Sequence, residues 1–287
     1  MKKHKICKIL LVILAIFLCV AFYELLGICV AYKKQPEVSN TTKKETKNGS
    51  WNECSENTER AVIIEKNPEA LLQRVRLIKN AKKEIILSTF AFQSDESGKL
   101  ILGALHDAAD RGVHIRLLVD GMESWIDMEG NPYFYGLSSH ENVEIKLYNK
   151  ANPLKPWKMM GRMHDKYLIA DGKRYILGGR NTYNYFLGDF PGHKNYDRDV
   201  LVVCDEPEKE NSVNQLLEYF ETIWEQEDSG YFHDNKKLAN RKSVKNAVLE
   251  LQNGYQKYFE ENKERICETD YTDETFETEK IALVSNP

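Results

Sequence analysis

The chain has 287 residues, of which 42% are apolar, 29% charged and 10% aromatic, a globular composition that excludes a disordered, collagen-like or disulfide-stapled chain. The formal charge of −4 is uneven: the first 34 residues hold six lysines against one glutamate, net +5, which leaves −9 on the remainder. An acidic body argues against a protein built for non-specific grip on nucleic acid, because that grip needs lysine and arginine to displace counterions.

Ile9 to Tyr23 carries no charge, and the apolar character resumes after Glu24 as far as Tyr32. At a rise of about 1.5 Å per residue, Ile9 to Tyr32 spans roughly 36 Å, enough to cross a bilayer core of about 30 Å with some tilt. No small-x-small cleavage site follows Tyr23, and Cys29 is preceded by Ile28. Residues 1–34 are therefore expected to be an uncleaved single-pass anchor and not a removed signal peptide. Lys2, Lys3, Lys5 and Lys8 favour an N-terminus inside and a lobe outside the cell membrane, a bias weakened by Lys33, Lys34, Lys43, Lys44 and Lys47. Residues 35–58, rich in Lys, Thr, Asn, Ser and Glu, read as a solvated tether. The six cysteines are too scattered to predict a bridge or a metal-binding pair.

The body alternates strand and helix. Arg60–Glu65 reads as a strand; Pro68 opens an amphipathic helix with Leu71, Leu72, Val75 and Ile78 at helical spacing. Glu84–Phe92 is a β-branched and aromatic strand, Gly98–Asp110 a helix stopped by Gly112, and Val113–Gly121 and Val143–Tyr148 are further strands. Asn131–Gly136 (NPYFYG) reads as an aromatic loop. These aromatics, like Trp157, Met159 and Met160 further on, are expected to pack locally and not to dip into a membrane. The pattern predicts an α/β domain with a largely internal sheet.

Chemistry concentrates after residue 163. His164 and Lys166 are two apart on an apolar run, so a strand projects both side chains from one face. Asp171-Gly172 is a hairpin signal, and Lys173–Leu177 returns as the partner strand to Gly178 and Gly179, where bare backbone lets a ligand approach. Asn181 is expected to begin a helix. An imidazole, an ammonium, a carboxamide and a helix N-terminus at one end of a hairpin suit a phosphate: lysine and asparagine hold non-bridging oxygens, and imidazole serves as nucleophile or proton donor.

The pattern of His164, Lys166, Asp171, Gly178, Gly179 and Asn181 arises by accident in on the order of one in 10⁵ chains. It resembles the phospholipase D superfamily motif H-x-K-x4-D-x6-G-[GS]-x-N with every spacing kept. The N-terminal apolar segment and the order of the strands resemble the N-terminal half of the bacterial cardiolipin synthase branch, over about residues 60 to 226. The resemblance implies a sandwich of a mixed β-sheet flanked by helices, a nucleophilic His164 that forms a phosphohistidine, a second histidine that protonates the leaving alcohol, and no metal ion or other cofactor. Asp171, in the turn, is expected to fix the hairpin more than to touch phosphate.

A nucleophilic imidazole needs an acceptor on its other nitrogen. The family places an acid just before a strand like Val200–Val203, a position that matches Asp197, with Asp199 as rival on the same face. A metal site at this D-x-D pair is disfavoured, since no other acid or histidine cluster accompanies it.

Val213–Trp224 is an amphipathic helix, residues 231–279 a charged helical connector, and residues 280–287 (KIALVSNP) an apolar strand echoing RAVIIEKNP at 60–68, expected as the start of a truncated second lobe. The other histidines lack a lysine two residues on, so the second motif-bearing half is expected either from a copy of the chain or from the continuation of a longer protein. The catalytic lobe is placed at residues 59–230. The reading is a membrane-anchored phosphodiesterase or phosphatidyltransferase acting on phospholipid. Its rivals are a homodimeric nuclease of the same superfamily, which the acidic body disfavours, and an inactive half-protein.

Overall fold

The computed structural model describes residues 2–33, 40, 43–44, 59–158, 160–204, 211–233, 235–278 and 281–283. Most of the tether expected at 35–58 lies outside the described residues, as does Met159. The chain divides into two compact units. The first joins residues 1–50 to residues 151–162. Its main element is α1 (Lys2–Lys33), in which His4–Lys33 is long and apolar enough to cross a membrane. A single 3-10 turn at Pro156–Lys158 belongs to the same unit.

The second unit holds a nine-stranded sheet. Its strands are β1 (Glu59–Ile64), β2 (Glu84–Thr89), β3 (His114–Asp120), β4 (Val143–Tyr148), β5 (Lys166–Ala170), β6 (Arg174–Gly178), β7 (Asp199–Val203), β8 (Ser229–Tyr231) and β9 (Phe276–Thr278). The order across the sheet is β8-β4-β3-β2-β5-β6-β7-β1-β9, with β2, β3 and β4 parallel and every other pair antiparallel. Successive side chains alternate between two apolar layers. Ile85, Leu87, Leu117, Leu168, Ile176 and Leu201 enter one; Ile86, Leu118, Ile169, Tyr175 and Val202 enter the other.

The first layer is covered by α2 (Asn67–Asn80), α3 (Glu96–Asp110), α5 (Pro132–Ser138), α7 (Lys242–Glu261) and α8 (Lys263–Cys267). The second is closed by α6 (Ser212–Trp224), whose Val213, Leu216, Phe220 and Ile223 keep the i, i+3, i+4 spacing that puts one stripe on the sheet. A short helix, α4 (Gly121–Asp127), follows β3 directly. Asp95 caps α3 by accepting from the Gly98 N–H, and Asn211 caps α6 by accepting from Asn214.

Four expectations change. Residues 131–136 are not a loop: Asn131 accepts from the Tyr133 N–H, Pro132 opens a helix, Phe134 is fully buried against Phe92, and Gly136 lets the helix close on Val244 and Val248 of α7, so packing overrides the turn-like composition. No helix starts at Asn181; the chain instead pairs alongside the segment that leaves β2, through a parallel bridge between Phe92 and Thr182. The charged stretch after residue 231 is part of the lobe. In it α7 packs on α3 and α5, Tyr271 is buried, Glu274 pairs with Arg76, and β9 adds to β1. Of the apolar segment expected as a strand at 280–287, Ile281 and Leu283 lie in no strand and pack on the layer under α6, while 280 and 284–287 lie outside the described residues.

Candidate active site

The C-terminal ends of the parallel strands, where open α/β sheets place their ligands, coincide with one end of the β5–β6 hairpin. Thr89 at the end of β2 sits opposite Lys166 at the start of β5, and Gly178 at the end of β6 opposite Asp199 at the start of β7. His164 lies just before β5, not within it. Its backbone is fixed from both sides. The N–H of Met163 donates to Asp120 Oδ2 (3.1 Å), while Asp120 Oδ1 accepts from Met122 and Glu123 to cap α4. On the other side, Lys166 Nζ donates to the His164 carbonyl oxygen at 2.7 Å.

The His164 imidazole is exposed and rests edge-on against Phe90, ring centroids 4.7 Å apart. The Lys166 ammonium lies 5.2 Å from the centre of the same ring, so imidazole and ammonium share one platform. Lys166 is only 7% exposed. Burial pushes its amine down to about 8, against the pull of the carboxylates of Asp165 and Asp197. Asp165 leaves the chain on the opposite side from its neighbours and accepts from the Tyr219 hydroxyl of α6 at 2.9 Å. Burial raises its carboxyl, which that hydrogen bond and the charges of Lys166 and His164 oppose.

Asn181 is nearly buried, and its side-chain oxygen accepts from the Ala91 N–H at 3.2 Å. That bond orients the carboxamide, whose N–H groups lie on its other side. Asp197 is half-buried, accepts from the Arg198 N–H at 2.7 Å and is close enough to act electrostatically on Lys166 and Arg180.

The two acids of the D-x-D pair have separated roles. The Asp199 side chain is fully buried between Arg74 Nη1 (2.9 Å) and Arg180 Nη1 (3.3 Å). Arg180 also donates to the Ile64 and Glu65 carbonyls and to Asn67 Oδ1. Asp199 is thus committed to the frame, which leaves Asp197 as the acid facing the lysine. The glycines serve these acids. A Cβ on Gly178 would meet Asp199 Oδ1 at 2.1 Å, and one on Gly179 would meet Asp197 Oδ2 at 2.0 Å. The space a side chain would fill is taken by the chain's own carboxylates and is not held open for a ligand.

Asp171 stands apart. It follows β5, beyond the far end of the strand from Lys166, and with φ of 54° and 63° it and Gly172 form the hairpin turn. Its carboxylate accepts from the N–H groups of Lys82, Lys83 and Glu84, so the motif's aspartate is a clamp between the hairpin and the start of β2. Among the described residues no group of three or more His, Cys, Asp and Glu side chains gathers as a metal site.

Residues 74–224, more than half of the chain, match the family described as "Cardiolipin synthase, PLD-like domain", and the chain belongs to that phospholipase D-like family. An uncharacterized protein of Helicobacter pylori strain J99 is 31% identical over 206 residues, 67% of this chain and 38% of its own length. Cardiolipin synthase C of Escherichia coli K12 is 29% identical over 171 residues, 55% of this chain and 34% of its own. In fold, the chain is similar to the phosphatidylserine synthase of Haemophilus influenzae Rd KW20, with a TM-score of 0.50 at 18% identity over 77% of this chain and 48% of that one. The chain spans about a third of the length of the curated relatives it matches. Family membership supports a phosphodiesterase or phosphotransferase kind of activity.

Proposed function

We propose that this lobe is a membrane-anchored phosphatidyl-transferring phosphodiesterase that acts on phospholipid head groups through a phosphohistidine. The observation that carries the reading is that an exposed imidazole and a buried ammonium both contact the Phe90 ring, with the Lys166 ammonium also bonded to the His164 carbonyl. In the proposed step an imidazole nitrogen of His164 attacks phosphorus, a P–N bond forms, and the P–O bond to the leaving alcohol breaks. Lys166 and the Asn181 amide take up the charge on the non-bridging oxygens, and Asp197 steadies His164. The leaving alkoxide takes a proton from an acid on a second motif-bearing lobe, supplied by a copy of this chain or by its continuation. A second alcohol or water then gives its proton to the group on the second lobe that was deprotonated in the first step and attacks the phosphohistidine, breaking P–N and restoring the imidazole. The hydroxyl of a phosphatidylglycerol as acceptor gives cardiolipin; water gives phosphatidic acid. The apolar α1 supports a substrate held in the bilayer, since anchoring raises its effective concentration.

The test is to incubate the full chain with vesicles of phosphatidylglycerol labelled in phosphorus and to look for acid-labile label on the protein. Labelled protein together with cardiolipin or phosphatidic acid is expected. Turnover of an oligonucleotide but not of lipid would overturn the lipid assignment while leaving the covalent step intact.

Two results are expected alongside. Lys166 works as a cation, and because burial lowers its pKa to about 8, turnover should fall as pH rises through about 8. An exposed lysine would hold its proton to about pH 10. The basic limb of a pH–rate profile reads this directly, and a plateau to pH 10 would remove Lys166 as the charge-bearing group. Second, Gly179→Ala drives its new methyl into Asp197 and should cost about 10²-fold in kcat/KM, as misplacing a catalytic group does. Asp197→Asn measured beside it should lose activity in parallel.

A further inference from the structure

The unit built on α1 holds a feature that the proposed reaction does not use. Residues 151–162 contain Lys155, Lys158 and Arg162 and no acid, in a body that is acidic overall. They pack on α1 itself. The Tyr23 hydroxyl donates to the Leu154 carbonyl at 2.9 Å, and Pro156 is buried against Gly27. A Cβ on Gly27 would stand 2.3 Å from Pro156 Cγ, so the contact depends on glycine at that position. Among the described residues of α1, Gly27 is buried and Glu24 and Ala31 on the same face are partly covered, while the apolar length is otherwise open.

Contrary to the local packing expected of Trp157 and Met160 from the sequence, the same segment leaves its large apolar side chains outward. Leu154 is 78% exposed, Met160 53% and Trp157 46%, with Lys155, Lys158 and Arg162 exposed among them. In water this is an unfavourable arrangement. At a membrane surface it is favourable, since tryptophan prefers the headgroup level and lysine and arginine reach the phosphates from there. The position along α1 agrees. Gly27, the seat of Pro156, lies six residues, about 9 Å, from the helix end at Lys33, nearer the headgroup layer than the bilayer centre.

We propose that residues 151–162 form an interfacial strap, seated on α1 and lying in the headgroup layer of an anionic phospholipid bilayer. Leu154, Trp157 and Met160 enter the acyl boundary, and Lys155, Lys158 and Arg162 meet lipid phosphates. In sequence the strap ends two residues before His164. The proposal rests on the reading of α1 as a membrane helix and deepens the lipid assignment by naming a surface that receives the bilayer.

The experiment is fluorescence quenching of the full chain in vesicles of phosphatidylglycerol and phosphatidylcholine carrying bromine on their acyl chains. Of the four tryptophans, Trp125 and Trp157 are exposed, Trp224 is buried, and Trp51, outside the described residues, is replaced by Phe in every variant. Trp157→Phe is expected to remove most of the bromine-quenchable emission, and Trp125→Phe to leave it. Leu154→Trp in the Trp157→Phe background should restore quenching, which separates lost contact from lost folding. Replacing Lys155, Lys158 and Arg162 together with Gln should weaken it in anionic vesicles. Quenching that survives Trp157→Phe, or that Trp125→Phe removes instead, overturns the proposal. No turnover is needed, so an inactive lobe with normal quenching counts against the catalytic reading alone.

Discussion

His164→Ala is expected to lower turnover by on the order of 10⁴-fold or more and to abolish labelled phosphate on the protein. The size follows from the absence of a substitute. The Lys166 ammonium is held at 2.7 Å on the His164 carbonyl and is a cation below its pKa of about 8, so it offers no lone pair to phosphorus near neutrality. Asp165 is turned away toward Tyr219, and Asp199 is locked between two guanidinium groups. Asp197 is committed to the charges of Lys166 and Arg180 and lies against Gly179, at a backbone position where any side chain would collide with it. Because the substitution trims an exposed side chain, the fold should be unaffected, and an unchanged melting temperature beside the lost label would make the result specific. Label that persists on a folded His164→Ala protein would end the phosphohistidine account.

Asp199→Ala should act on the other property, stability. Two buried guanidinium groups share this one carboxylate, whose side chain is fully excluded from solvent. Arg180 is further held by two carbonyls and Asn67, so neither it nor Arg74, itself bonded to the Ala70 carbonyl, is placed to swing out to water. Removing the anion leaves two like charges facing each other without compensation, which costs about 3–5 kcal/mol. In a lobe of this size that lowers the melting temperature by roughly 6–20 °C. Thermal unfolding of the detergent-solubilised chain measures it. Asp197→Ala, on a half-buried residue, should shift the transition by about 1 kcal/mol or less, so the two acids, two residues apart, separate into chemistry and frame. An Asp199→Ala protein that melts with the wild type would show that the arginines have another outlet.

The sheet and the hairpin are legible in the sequence because their signals are local. Alternation marks the strands, and Asp171-Gly172 marks the turn, whose positive φ angles the structure shows. The misreadings share a cause in partners far along the chain. Residues 131–136 look like a loop because aromatics, proline and glycine cluster there; the groove against α7, more than a hundred residues on, makes them a helix, although Asn131-Pro132 was a readable start signal. The acidic run at 268–279 reads as solvated until Arg60 and Arg76 supply its counter-charges from the other end of the lobe. At the site, Asp120 with Glu123 three residues on has the spacing of a helix cap, but its grip on Met163 spans 43 residues and has no local signature. Gly178 and Gly179 announce a close approach, yet only coordinates tell whether a ligand or a carboxylate comes close.

Among the described residues the sheet finishes on both sides in strands of three residues, Ser229–Tyr231 and Phe276–Thr278. So few unpaired amides give a neighbouring molecule little to zip onto, and Glu277 at the middle of the outer strand adds repulsion between copies. Under the proposed anchoring by α1 the protein is confined to a two-dimensional film, where it meets its own kind far more often than in bulk. Such blunt borders would let it crowd there without polymerising edge to edge.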